Sequence, residues 1–236
     1  MSTSPLINQK NLQFLLHEVF PIEKLCRYPR FAEHEVSTFD AVIHAAHDLA
    51  LKQFLPHNRL SDNHEPEFDQ GRVKIIPEVK TALDAYAAAG FPAALADSED
   101  GGMQLPFSIS LACDALFAGA NVSTMGYAML ARGVANLLKA HGTAEQQENF
   151  SETQAGSSLG DIKTLATLRD DGTYRISGSK MWISGGEHDL SENIIHMVLA
   201  KIPGGPAGVK GISLFIVPKY LVNSDGSLGE RNDLCV

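Results

Sequence analysis

Between residues 39 and 54 the apolar side chains Val42, Ile43, Ala46, Leu49, Ala50 and Phe54 recur at three- and four-residue spacings, so a helix there carries one apolar stripe. Pro56 ends it, because proline has no amide hydrogen to donate and crowds the preceding turn. Residues 57–72 follow with Asn58, Asp62, Asn63, Pro66, Asp69 and Gly71, a composition that predicts a surface connection. A second helix is predicted over 77–89: Pro77 suits a first helical position, and Gly90 suits the stop because it tolerates a left-handed backbone. Pro106 opens a third helix, to about residue 119. A fourth covers 123–141, where Lys139 and His141 meet the negative end of the helix dipole and Gly142 closes it. Thr143 and Gln146 form a capping-box pattern that starts a further short helix.

Past Phe150 the period changes. Residues 162–168 and 174–184 flank Asp170-Asp171-Gly172, a hairpin turn with glycine where a positive φ is needed. Residues 194–201 and 212–218 are two β-rich runs separated by Pro203-Gly204-Gly205-Pro206-Ala207-Gly208, a loop that excludes a helix. The predicted fold is multi-domain α and β, with an N-terminal all-helical domain over residues 1–150 and an antiparallel β domain over 151–236. An unpaired strand edge is expected near residues 212–217.

Composition narrows the function classes. A chain of 236 residues that is 44% hydrophobic and 20% charged has enough apolar side chains for a core. Its 19 Lys and Arg against 28 Asp and Glu give a net charge of -9, which repels nucleic-acid backbones and anionic membranes. Cys26, Cys113 and Cys235 have no metal-type spacing and are an odd number, which fits reduced cytoplasmic thiols. No run approaches the roughly 18 apolar residues of a membrane span. The Asn121-Val122-Ser123 sequon reads as accidental. His44 and His47 share a helix face near Glu33, His34 and Glu35, but without a third ligand at matching spacing they read as ordinary helix surface. Glu187-His188-Asp189, after Gly185-Gly186, reads as a solvated turn. Fingerprints for nicotinamide, nucleoside triphosphate or serine-hydrolase chemistry do not occur.

Two segments carry the chemistry. Ser151-Glu152-Thr153-Gln154-Ala155-Gly156-Ser157 is followed further along by Lys180-Met181-Trp182-Ile183-Ser184-Gly185-Gly186. In order and separation they resemble the two flavin-contacting segments of an acyl-CoA dehydrogenase, its Thr-Glu-Pro-x-x-Gly-Ser turn and its Lys-x-Trp-Ile-(Thr/Ser) strand. The likeness extends from Pro5-Leu6 and residues 12–20 through Gly185-Gly186-Glu187-His188-Asp189-Leu190 to Gly226-Ser227-Leu228-Gly229-Glu230-Arg231-Asn232-Asp233, and points to a bacterial branch of that family.

The resemblance implies FAD as cofactor, with Ser151, Gly156, Ser157, Trp182, Ile183 and Ser184 as the residues that hold it. Trp182, the chain's one tryptophan, takes the place of the tryptophan packed on the flavin ring. Ser184 takes that of the hydroxyl near the flavin N5 edge, and a hydroxyl can donate there. Ser157 corresponds to the serine that also bonds the incoming acyl-CoA, and Gly156 lets the backbone approach closely. Thr153 stands where the family has proline, so this turn lacks a fixed φ.

The implied reaction is α,β-dehydrogenation of an acyl-CoA thioester to a 2,3-enoyl-CoA in fatty acid metabolism. An electron-transferring flavoprotein takes the electrons, and the enzyme is a cytoplasmic homo-oligomer. A carboxylate base must reach the α-carbon. In the family it lies on a C-terminal helical bundle expected beyond Val236, so no catalytic residue is named within the chain. The family also has a longer stretch between the positions of Phe150 and Ser151, so the strand leading into the first flavin segment is expected to be missing. The chain is therefore read as a fragment or an internally shortened version of a longer protein. Two alternatives stay open: a flavin-containing, DNA-associated protein like the alkylation-response branch, which needs a basic face, and a non-catalytic truncated remnant.

Overall fold

A computed structural model describes residues 4–144, 146, 163–180 and 183–235. The chain divides into two compact units, Met1–Pro66 with Ile75–Ala128 and Glu67–Lys74 with Met129–Val236. Residue 150, the expected boundary, lies outside the described residues.

The first unit is helical. α1 (Gln9–Phe14) is capped by Asn8, whose side chain accepts from the amides of Lys10 and Asn11. α2 (Val36–Leu49) buries Phe39, Ile43 and Ala46 on one face, and the stripe continues through Ala50 and Phe54 in a wide π turn. That turn sits just ahead of Pro56, whose ring crowds the carbonyl four residues back and so opens the helical ladder. α3 (Asn58–Asn63) follows. α4 (Pro77–Ala88) starts at its proline and ends before Gly90, which takes φ 80°. α5 (Phe107–Ala120) begins directly after Pro106, and α6 (Val122–His141), which runs on from the first unit into the second, ends at Gly142, whose amide donates to Leu138 O at 2.7 Å.

Between these helices lies an aromatic core. The Phe117 ring sits 4.9 Å from Phe54, 5.0 Å from Tyr86 and 5.0 Å from Phe91, in tilted and edge-to-face arrangements that bring ring edges to ring faces. His57 is buried but satisfied, with Nδ1 2.8 Å from Gln53 O and Nε2 2.8 Å from Thr124 Oγ1. Burial holds its pKa below the usual histidine value. Asn121 of the sequon is also buried and donates to Phe54 O, which leaves its amide nitrogen inaccessible to a glycan.

The predicted surface connection over 57–72 is in fact α3 followed by part of a hairpin, β1 (Glu67–Asp69) paired with β2 (Arg72–Lys74). Gln70 and Gly71 turn it with φ 48° and 79°, the two positive angles of a tight hairpin turn.

In the second unit β3 (Leu165–Leu168) pairs antiparallel with β4 (Tyr174–Ser177), and Gly172 has φ 83° in the expected turn. β5 (Ile195–Lys201) pairs antiparallel with β6 (Ile212–Pro218) along its whole length. One bridge, Leu165 to Lys201, joins β3 to β5 in parallel, so the four-stranded sheet β4-β3-β5-β6 is mixed. β6 stands at one edge of it. β7 (Tyr220–Val222) and β8 (Leu228–Arg231) form a separate antiparallel pair. The capping box is present: Thr143 N donates to Gln146 Oε1 at 3.0 Å and Gln146 N to Thr143 Oγ1 at 3.2 Å.

Candidate functional site

Of the six residues expected to hold a flavin, Ser151, Gly156, Ser157 and Trp182 lie outside the described residues. Ile183 and Ser184 are described. Ile183 is 46% exposed, an open apolar side chain, and Ser184 begins an exposed turn. The predicted strand over 174–184 is shorter among the described residues, where it stops at Ser177; residues 181 and 182 lie outside them. Gly178 takes φ 150° and passes so close to Thr164 that a Cβ would meet its Cα at 2.9 Å, so the chain leaves the sheet there. Lys180 ties the departing segment back, donating from Nζ to Leu199 O of β5 at 2.7 Å.

Beyond Ser184 the chain dives inward. Gly185, at φ 63°, turns it, and the next three residues are each gripped from elsewhere in the unit. His196 of β5 meets Gly186 O through Nε2 at 2.8 Å, while its Nδ1 faces Val217 O at 3.1 Å. A neutral ring donates to one of these two carbonyls. Lys219, between β6 and β7, donates from Nζ to Glu187 Oε1 at 2.5 Å and to His188 O at 3.4 Å. Arg231 of β8 reaches Glu187 Oε2 at 3.3 Å. The Glu187 side chain is 2% exposed and that of Lys219 9%. Asn193 closes the loop: it donates to Tyr220 O and accepts from Tyr220 N, both at 2.9 Å, so its amide stands in for a strand residue.

The Glu187–Asp189 turn is therefore not the solvated turn that its Gly-Gly-Glu-His-Asp composition predicts, because Glu187 and His188 are both buried. Burial first, and then the nearby Lys219 charge, push the His188 pKa down to about 4. The ring is neutral at pH 7, which fits its Nδ1 accepting from Leu190 N at 3.3 Å. A sequence signal for this cluster existed: Lys219 closes the apolar run 212–218, and a lysine carried into a core needs a buried counter-charge.

Elsewhere the candidates recede. His44 is exposed, but His47 is buried and bonds Ser4 Oγ at 2.9 Å, so it is not helix surface as predicted. Among the described residues no group of three or more potential ligands is placed to hold a metal, and no helix is long and apolar enough to cross a membrane. All three cysteines are free, and burial pushes the Cys113 thiol up to about 12, which makes it unreactive. An acidic crevice at Glu33, Asp97 and Glu99 already engages Arg30 through Asp97.

Residues 148–230 match the family described as acyl-CoA dehydrogenase, middle domain. The chain is 34% identical to the 3-methylmercaptopropionyl-CoA dehydrogenase of Ruegeria pomeroyi over 92% of its own length and 41% of that protein's. It is 32% identical to the broad-specificity linear acyl-CoA dehydrogenase FadE5 of Mycobacterium tuberculosis, over 97% of this chain and 40% of the relative. The chain thus spans about two fifths of these relatives. Its fold is similar to a Bacillus anthracis acyl-CoA dehydrogenase crystallised with FAD, at TM-score 0.62 and 23% identity, over 80% of this chain and 32% of that one. Residues 148–230 thus match that family's middle domain, the sequence likeness to its members extends over most of the rest of the chain, and the fold is similar to theirs. The bacterial branch expected from the likeness over residues 5–233 is the one similar to 3-methylthiopropionyl-CoA dehydrogenase, and the Ruegeria relative's name carries the same thioether acyl group.

Proposed function

We propose that this chain supplies the flavin-holding part of an FAD-dependent acyl-CoA dehydrogenase. The observation that carries the reading is the sequence match across 92% of the chain to a relative named for that activity, together with the two flavin-type segments inside or next to the matched middle domain. Ser151, Gly156, Ser157, Trp182, Ile183 and Ser184 are the proposed FAD contacts, with Ser157 shared by the acyl-CoA. The described end of this set suits a planar ring: Ile183 offers an uncovered apolar side chain, and Ser184 a hydroxyl on an accessible turn. The chemistry FAD supplies when bound is acceptance of the hydride from the β-carbon of the thioester.

The chain's own residues bind and orient. None is proposed as the general base. Glu187, the carboxylate directly after the second flavin segment, is buried between two cations and is not free to meet a substrate α-carbon. The 236-residue chain is therefore proposed to turn over no acyl-CoA by itself. In the complete reaction an electron-transferring flavoprotein takes up the electrons and the enzyme is a homo-oligomer. The net charge of -9 weighs against a nucleic-acid partner. Reconstitution with excess FAD followed by gel filtration tests the reading: a flavin absorption band should travel with the protein, and protein emerging colourless refutes it.

A further inference from the structure

Ser184 is exposed, and three residues later Glu187 is buried, with only Gly185 and Gly186 between them. The anchors on this stretch come from three places remote in sequence: β5 through His196, the β6–β7 link through Lys219, and β8 through Arg231. A surface turn needs none of this. Asx and Gly positions alone would order it, as Asp171 and Gly172 do in the β3–β4 hairpin, where Asp171 Oδ1 accepts from Thr173 N at 2.9 Å.

Stability does not explain the cluster either. A buried ion pair forfeits the hydration of both charges and seldom outdoes well-packed apolar side chains of the same volume. What it adds is direction. A carboxylate held by donors on both oxygens has one placement, whereas an apolar staple can slide.

We propose that Lys219 and Arg231, acting through Glu187, and His196, acting through Gly186 O, are positioning residues that fix the backbone of residues 183–188 and thereby present Ile183 and Ser184 to the flavin. This rests on the flavin reading above and assigns no chemistry to the cluster. Glu187 is a structural anchor and not a base, because both its oxygens are engaged by cations. Neutral His188 adds no competing charge beside the pair, and the amide side chain of Asn193 fixes the far end of the loop on Tyr220.

The test uses the full chain and the variants Glu187→Gln, Lys219→Met and the conservative Lys219→Arg. Phe215→Ala serves as control, because it loosens the same sheet at its 5.0 Å contact with Tyr174 without touching the cluster. Amide hydrogen exchange reads residues 183–190 against β5 and β6, and flavin fluorescence reads the FAD dissociation constant. Partners that orient metal ligands matter by about ten- to a hundredfold, and the same scale is expected here. Glu187→Gln and Lys219→Met should speed exchange across 183–190 and weaken FAD binding, each by about tenfold or more, while β5 and β6 stay protected. Lys219→Arg should restore both readouts. Phe215→Ala should lower stability and leave both unchanged, which a merely structural role for the cluster would not allow. Unaltered exchange in 183–190, or unaltered FAD affinity despite faster exchange, overturns the proposal alone. A wild-type chain that takes up no FAD defeats the flavin reading and this proposal with it.

Discussion

Phe117 in the helical unit and Glu187 in the β unit are both buried, yet they hold their surroundings by opposite means. Phe117 meets Phe54, Tyr86 and Phe91, and its hold is non-directional: area removed from water plus edge-to-face ring contacts. Glu187 meets Lys219 and Arg231, and its hold is directional and dearly won, since each charge has lost its water. The difference teaches where each device is useful. Packing helices against one another needs volume filled. Aiming a short exposed loop needs a fixed point beneath it, and a carboxylate between two cations is such a point.

The largest effect should come from breaking the apolar side of this comparison. Phe117→Ala removes a ring from the centre of four aromatics and is expected to destabilise the helical unit by ~3–5 kcal/mol. Urea unfolding followed by the helical circular-dichroism signal measures it. A loss below that of an average surface substitution would mean that the core rearranges around the gap.

The charged side breaks differently. Lys219→Met leaves a buried carboxylate with Arg231 alone and is expected to cost ~3 kcal/mol, the low end for a buried pair losing one partner. Glu187→Leu combined with Lys219→Met should cost less than the two single changes added together, because neither charge is then stranded. Additive losses in this double-mutant cycle would show that the two side chains are not coupled.

A smaller, pH-dependent effect sharpens the contrast. In the folded chain His188 binds its proton more weakly than in the unfolded chain, so acid favours unfolding. The contribution is complete above about pH 6.5 and is lost as pH falls toward about 4, with a slope of at most ~1.4 kcal/mol per pH unit. His188→Gln should flatten the stability profile in that window. Lys219, Glu187, Asp189 and His196, the charged and ionisable groups that act on the ring, are the same in both proteins, so the difference between the two profiles isolates His188. Identical profiles would place the acid sensitivity elsewhere.

The smallest expected effect is local. Thr143→Ala removes the hydroxyl that accepts from Gln146 N and should cost ~1 kcal/mol in urea unfolding.

The same contrast decides what was legible in the sequence. The α2 stripe, the Pro77 start, the Gly90 stop, the Gly172 turn and the β5 and β6 runs could all be read, because each is fixed by neighbours within a few residues. The π turn at Ala50–Phe54 could not be read, since its residues keep the helical period and only the ladder spacing changes. The hairpin at Glu67–Lys74 escaped because its strands are three residues each and Gln70 seldom takes a positive φ. The Glu187 cluster escaped for the strongest reason: its partners lie 32 and 44 residues away, and locally Gly-Gly-Glu-His-Asp has the composition of an exposed turn. Of the proposed flavin residues, the family resemblance named all six, while charge and periodicity alone named none.

The proposed hold of residues 182–184 on a flavin ring is open to an FAD titration of the wild-type chain beside Trp182→Ala and Ser184→Ala. Trp182→Ala removes both a ring contact and a large apolar surface, whereas Ser184→Ala removes one hydroxyl. Saturable wild-type binding, a modest loss for Ser184→Ala and a larger loss for Trp182→Ala are expected. An unchanged dissociation constant for Trp182→Ala would contradict the proposed hold.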